Sequence, residues 1–283
     1  MNETTVDAPL PSIAILGLGS MGRAILSGLR GPGVRVDGEI RVTNRSVASA
    51  EEYTGVEGII SLATEINPEA NREAVRGARV VIVAVKPWQI VEVLAEVADV
   101  LDPNAVIISV AAGVTTASME TAVPEGVAVL RAMPNTPSLI GRGVTGVARG
   151  LSASEDDLAL VTRVFDTVGQ VVSVPEDKID ALSAISGSGP AYVFYLIEEW
   201  TAAAERLGFT RAEAETMVRG TVSGAAELVM RTGEDPAELR RRVTSPNGTT
   251  ERAVTVLQAS GLGDTLDEAM NAAIRRATEL AAD

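Results

Sequence analysis

The chain has 283 residues and a formal net charge of −14, and it is 46% hydrophobic but only 3% aromatic, so its core must be built from small aliphatic side chains. The length accommodates two domains, and the acidity argues against nucleic acid or an anionic membrane as the main partner, while leaving room for a phosphate held by a few arginines. With no cysteine and no histidine, disulfides, thiolate chemistry, histidine acid–base catalysis and Cys or His metal ligation are excluded, and no metal is expected.

Residues 1–11 are polar, contain prolines and lack a basic run, which predicts a disordered lead-in and no signal peptide. No apolar run reaches the ~18 residues needed to span a bilayer, so a cytoplasmic location is expected. The first predicted strand, Ile13–Leu16, runs directly into Gly17-Leu18-Gly19-Ser20-Met21-Gly22 and then into a helical pattern. This is G-x-G-x-x-G in strand–turn–helix context. Gly17 suits the tight turn, Gly19 allows close approach of a pyrophosphate, and Gly22 allows helix and strand to pack. The helix start offers free N–H groups to the phosphates.

The second strand, Ile40–Thr43, leads into Asn44-Arg45-Ser46. A site selective for NAD places a carboxylate there, roughly 20 residues past the glycines, to bond the ribose 2′-OH. None is present, and a guanidinium with a hydroxyl suits a 2′-phosphate, so NADPH is favoured with NADH possible. The bland alternative is a solvated Arg45. A third strand, Val80–Val85, is expected to stop at Pro87, leaving Lys86 at the carboxyl edge of the sheet as a cofactor contact, an acid or a surface lysine. Val106–Val110 and Val127–Arg131 follow, with Val144–Ala148 and Val171–Val174 extending the sheet. Nearly continuous apolar strands alternating with helical segments such as Ile90–Val97 predict a doubly wound, parallel α/β domain over residues 12–175.

Residues 176–283 contain no convincing strand and read as successive helices. Ala191–Ile197 is apolar nearly all round, which fits either a helix shared with a partner subunit or the centre of a single bundle. Further on, Val243-Thr244-Ser245-Pro246-Asn247-Gly248-Thr249-Thr250 precedes another helix. Its hydroxyls and N–H groups could hold a carboxylate, or Ser245 or Thr249 could merely cap the helix.

The segment Pro236-x-x-Leu239-x-x-x-Val243-Thr244-Ser245-Pro246-Asn247-Gly248-Thr249-Thr250-x-x-Ala253-Val254-x-x-Leu257-Gln258 closely resembles the signature of pyrroline-5-carboxylate reductases. So does Leu182-Ser183-Ala184-Ile185-Ser186-Gly187-Ser188-Gly189-Pro190-Ala191-Tyr192. Ala84–Pro87, Ala111–Val114 and Arg131-Ala132-Met133-Pro134-Asn135-Thr136-Pro137 fit the same family.

The resemblance implies a Rossmann-type N-terminal domain followed by an all-α dimerisation domain. It also implies NAD(P)H-dependent reduction of 1-pyrroline-5-carboxylate to L-proline, the last step of proline synthesis, in a homodimer that commonly assembles into a decamer of five dimers. Carried onto this chain, Gly17 and Leu18–Gly22 hold the pyrophosphate, and Asn44, Arg45 and Ser46 the adenosine phosphate. Asn71 matches a cofactor-contacting Asn. Ala84, Val85, Lys86 and Pro87 line the nicotinamide side with Val110, Ala111 and Ala112. Ser245 and the N–H groups of Gly248 and Thr249 hold the substrate carboxylate, and Thr250 bonds the ring nitrogen as the one residue placed at the reacting group. Two positions depart from the family pattern. Arg242 stands where some members have a cofactor-contacting Asn, and Asn247 where many have Gly, a mild change because Asn tolerates left-handed backbone.

Reduction of a cyclic imine suits a chain so poor in proton donors, whose two lysines are Lys86 and Lys178. A protonated imine is already a hydride acceptor, and positioning supplies much of the rate. The β-hydroxyacid dehydrogenases, which need a lysine in the helical domain, are the enzymatic alternative. A non-catalytic NADP-binding module is the alternative from another class, and turnover separates it from both.

Overall fold

A computed structural model describes residues 8–282 of the chain. By its internal contacts the chain divides into two compact units. One contains the residues up to Gly187 together with the chain from Ile274 on, and the other is Ser188–Ala273.

The first unit is built on one eight-stranded sheet. In chain order its elements are β1 (Ile13–Leu16), α1 (Ser20–Leu29), β2 (Ile40–Asn44), α2 (Val47–Glu51), β3 (Ile59–Ala63), α3 (Ala70–Val75), β4 (Val80–Val83), α4 (Ile90–Val97), β5 (Val106–Ser109), α5 (Thr116–Glu120), β6 (Ala128–Met133), β7 (Gly143–Arg149), α6 (Glu155–Asp166), β8 (Gly169–Ser173) and the single turn α7 (Ile179–Leu182). The strand order is β3-β2-β1-β4-β5-β6-β7-β8. The first six strands of that order are parallel, with the reversal beside β1 that creates a crevice at the strand carboxyl ends. The central strands β1, β4 and β5 are fully buried, and two apolar clusters cover the opposite faces of the sheet, one led by Ile15, Ile25, Ile82 and Phe165 and the other by Leu16, Val83, Leu94 and Met119. Continuous Val/Ile runs are what such two-sided burial demands.

Several expectations need correction. β3 was not anticipated. It is the edge strand, its residues are mixed with a serine, and it pairs only with β2 from Ile40↔Ile59 to Asn44↔Ala63, so neither continuous burial nor clean alternation marks it. The run Val80–Val85 is therefore the fourth strand, not the third. It ends at Val83, and Pro87 opens a short 3₁₀ turn into α4 instead of terminating the strand. The sheet is not wholly parallel, because β7 pairs antiparallel with β6. The expected lead-in overlaps the described residues at 8–11. There Leu10 is buried and bridges Val36, its N–H donating to the Arg35 carbonyl at 2.8 Å and its carbonyl accepting the Asp37 N–H at 2.7 Å. The rest of that expectation lies outside the described residues.

The residues just past the expected boundary near Pro175 also belong with the sheet. Leu182 fills the space over Gly146, where an added Cβ would sit 2.5 Å from its methyl groups. Arg131 bonds Asp180, and Asn135 donates to the Ser186 carbonyl at 2.9 Å.

The second unit is helical: α8 (Gly189–Arg206), α9 (Arg211–Thr232), α10 (Pro236–Arg242), α11 (Thr249–Ala259) and most of α12 (Leu262–Ala282). Local signals set these boundaries. Thr210 and Glu213 form a reciprocal capping box at the start of α9, and Gly233 closes it in left-handed conformation at φ 64. Asp235 caps α10 ahead of Pro236. The unit buries few side chains, chiefly Thr201, Ala204, Ala214 and Val218, and leaves Val193, Phe194, Tyr195, Leu196, Trp200, Leu228 and Met230 exposed. Among the described residues no helix is long and apolar enough to cross a membrane.

Candidate active site

The glycine turn after β1 has the geometry of a phosphate cradle. Gly17 sits at φ +91, where a side chain would be strained, and a Cβ there would lie 2.9 Å from Val85 Cγ1 and 3.1 Å from the Ala84 carbonyl. A Cβ on Gly22 would lie 2.5 Å from the Gly17 carbonyl oxygen, so α1 can approach the turn only as glycine. Gly19 faces open space. It is the N-cap of α1, and no side chain caps that helix. The N–H groups of its first turn, including those of Ser20 and Met21, are therefore left for an anion. A diphosphate fits this site on all three counts.

Backbone bonds gather the flanking segments around the turn. The Thr43 carbonyl accepts the N–H of Gly17 at 3.2 Å and of Leu18 at 3.1 Å, and the Ala84 N–H donates to the Leu16 carbonyl at 2.8 Å. Asn44 is buried, its amide donating to Ser61 Oγ at 3.2 Å. Arg45 is exposed. Ser46 caps α2, its Oγ accepting the Ser49 N–H at 3.3 Å, so it has a structural use beside any contact with a phosphate. Lys86 and Pro87 are exposed past the end of β4. Val110–Ala112 follow β5, where the Ala111 N–H donates to Ser109 Oγ at 3.2 Å and Ala112 is exposed. Asn71 is buried on α3, and its amide donates to Glu96 Oε2 at 3.1 Å.

In the helical unit, the loop before α11 turns on itself. The Gly248 N–H donates to the Ser245 carbonyl at 3.0 Å, and a Cβ on Gly248 would lie 2.5 Å from Ser245 Oγ. Asn247, at φ 58, is the one non-glycine residue with positive φ among the described residues, so its amide side chain stands where left-handed backbone is needed. Gly248 is the N-cap of α11 and no side chain caps the helix. Neither Ser245 nor Thr249 spends its hydroxyl on capping, which leaves Ser245, the first-turn N–H groups and Thr250 together at one helix end. Glu251 was not singled out from sequence. Its carboxylate accepts the Asn247 N–H at 2.9 Å and closes the loop, a role signalled only by its place three residues past the N-cap. Arg242 points elsewhere, pairing with Glu234 at 2.5 Å and Glu238 at 3.4 Å.

A Rossmann-type sheet with a glycine cradle, joined to a helical unit with an uncapped small-residue loop, is the architecture of a nicotinamide-dependent oxidoreductase. Comparison with known proteins narrows that class. Residues 176–280 match the family described as pyrroline-5-carboxylate reductase dimerisation, and residues 12–113 match the family of coenzyme F420-dependent NADP oxidoreductases. The chain is 39% identical to the pyrroline-5-carboxylate reductase of Corynebacterium melassecola, over 96% of this chain and 99% of that protein. It is 35% identical to that of Escherichia coli, over 95% and 97%. Among solved structures, a pyrroline-5-carboxylate reductase from Coxiella burnetii superposes with a TM-score of 0.88 at 38% identity, covering 96% of this chain and 98% of that one. The Plasmodium falciparum pyrroline carboxylate reductase, solved with NADP bound, superposes with a TM-score of 0.80 at 25% identity, over 95% and 98%. The chain belongs to the pyrroline-5-carboxylate reductase family.

Proposed function

We propose that the chain reduces 1-pyrroline-5-carboxylate to L-proline, with NADPH as the preferred hydride donor and NADH as a poorer one. The observation that carries this reading is the end-to-end match to reductases of that name, in a chain that keeps both a glycine cradle and an uncapped α11. In the proposed site, Gly17, Leu18, Gly19, Ser20, Met21 and Gly22 hold the diphosphate. Arg45, with Ser46 and Asn44, faces the 2′-phosphate, and the absence of a carboxylate after β2 removes the usual repulsion. Ala84–Pro87 and Val110–Ala112 border the nicotinamide side, and Asn71 is a further cofactor contact. When bound, the reduced nicotinamide supplies the hydride.

The chain's own residues then have a short task. Ser245 and the N–H groups of Gly248 and Thr249 fix the substrate carboxylate, aided by the helix dipole. Thr250 Oγ1 hydrogen-bonds the ring nitrogen. Holding the substrate in a fixed orientation toward the donor would supply much of the acceleration, so neither histidine nor a helical-domain lysine is needed. The latter point disfavours a β-hydroxyacid dehydrogenase, and turnover would exclude a purely regulatory cofactor-binding module.

The chain is a homo-oligomer through its helical unit, which matches the dimerisation family and exposes the aromatic face of α8. We extend this to interlocked dimers that bury more than about 2,000 Å², to five such dimers in a decamer, and to a cytoplasmic location. The deciding experiment follows loss of reduced-cofactor absorbance with pyrroline-5-carboxylate, NADPH against NADH. Turnover with proline as product and a higher kcat/KM for NADPH is the expected result. No turnover with either donor would overturn the reading.

A further inference from the structure

The mechanism above leaves one buried ionic cluster without a task. Arg131, on β6, is 4% exposed. Its Nη2 donates to Asp180 Oδ1 at 3.0 Å, its Nη1 lies 4.0 Å from Glu176 Oε1, and its Nε is buried with no partner. Glu176 in turn accepts two bonds from one residue, the Thr116 N–H at 2.7 Å and the Thr116 hydroxyl at 2.5 Å. Thr116 is buried and is the first residue of α5. Arg131 pairs in register with Ser109, the last residue of β5.

This cluster brackets a single loop. Residues 110–115 leave β5 at Ser109, whose Oγ takes the Ala111 N–H, and end at Thr116, which Glu176 grips through both backbone and side chain. The loop carries Val110–Ala112, so the inference rests on the functional reading that these residues border the nicotinamide. A buried arginine between two carboxylates costs desolvation and contributes little net stability, whereas a two-point hold on a helix start fixes where the preceding loop lies. Glu176 is also the first residue of the segment that matches the dimerisation family. We propose that Glu176, itself held by Arg131, is a positioning residue for the nicotinamide-side loop, acting through Thr116.

The test compares Thr116→Val, which removes the hydroxyl bond, with Thr116→Ser, which keeps both bonds, in the full-length enzyme. Each is assayed with NADPH and with NADPH carrying deuterium at the transferred position. Because small misplacements of reacting groups are costly, Thr116→Val should lower kcat about tenfold. It should also raise the deuterium isotope effect on kcat and leave the NADPH dissociation constant within about twofold. Thr116→Ser should restore the wild-type values. Glu176→Gln, which leaves every loop residue in place, is the second variant and should show the same signature. An unchanged kcat and isotope effect in folded Thr116→Val, or activity lost only in proportion to the melted fraction, overturns the proposal. A wild type that binds NADPH but does not reduce pyrroline-5-carboxylate overturns the functional reading on which it rests, and the two failures are thereby distinct.

Discussion

The two units of this chain treat their apolar residues in opposite ways. In the sheet unit, Ile13, Ile15, Ile82 and Phe165 are fully buried by the same chain. In the helical unit, Phe194 and Tyr195 are 62% and 63% exposed, with Leu196, Leu228, Met230 and Leu257 also open. A single chain therefore satisfies the first unit and leaves the second with an apolar surface that water does not favour. The sheet unit completes its apolar core within one chain, whereas the helical unit leaves its apolar face for a second copy to cover.

The most drastic way to break this comparison is Phe194→Asp. In an isolated chain the new charge stays in water, but in the assembled enzyme it would be desolvated without a partner. Turnover and the oligomer should be lost together, while circular dichroism stays near wild type and NADPH still binds. A variant that sediments at full oligomer mass and turns over normally would show that α8 does not lie at the interface.

A smaller effect is expected at Thr250, in the first turn of α11. Thr250→Val keeps the shape and removes one hydrogen bond worth about 1.5–3 kcal/mol to a charged group, so kcat/KM should fall roughly 10–100-fold with the oligomer intact. Wild-type kinetics in the folded variant would remove Thr250 from the site.

On the sheet side, Arg45→Ala should raise the KM for NADPH about tenfold and barely change that for NADH, as expected for one lost charge-assisted contact. Equal effects on both cofactors would mean that Arg45 does not read the 2′-phosphate.

The smallest effect sharpens the comparison by altering the sheet unit's stability alone. Burial pushes the Asp157 carboxyl up, but the Ser154 hydroxyl and N–H, at 2.6 and 3.0 Å, and Arg79 at 3.0 Å outweigh it, so the carboxyl sits below its ordinary value. A folded-state value depressed in this way contributes stability above the unfolded carboxylate pKa of about 3.9 and loses it as pH falls. Asp157→Asn should therefore cost about 1 kcal/mol in urea unfolding at pH 7, as for loss of a helix cap, with the gap to wild type closing in acid. A gap that widened in acid would reverse the assigned sign.

Much of this molecule was readable residue by residue. The glycine turn was legible because each glycine answers a local demand, namely a left-handed φ at Gly17, a carbonyl against Gly22 and open space at Gly19. The central strands were legible because burial on both faces leaves only apolar residues to choose from. The helices after residue 176 were legible as successive helical segments with no convincing strand among them, and their caps, Thr210 with Glu213 and Asp235 before Pro236, became visible in the structure. The Ser245–Thr250 loop was legible as a motif, whereas its uncapped state was not, since Ser245 and Thr249 could equally have closed the helix.

Tertiary structure alone decided the remainder, where a residue's role depends on a neighbour far along the chain. β3 exists because β2 offers it a register, not because Ile59–Ala63 announces a strand. β7 turns antiparallel through its pairing with β6. Residues 176–187 read as the start of the helical domain, yet Leu182, Asp180 and Ser186 are claimed by Gly146, Arg131 and Asn135 of the sheet unit. Thr116 and Glu176 are sixty residues apart, and no local periodicity encodes that a carboxylate will meet that helix start. Propensity and pattern are short-range quantities, whereas strand partners, buried ion clusters and domain edges are set by packing across long separations in the chain.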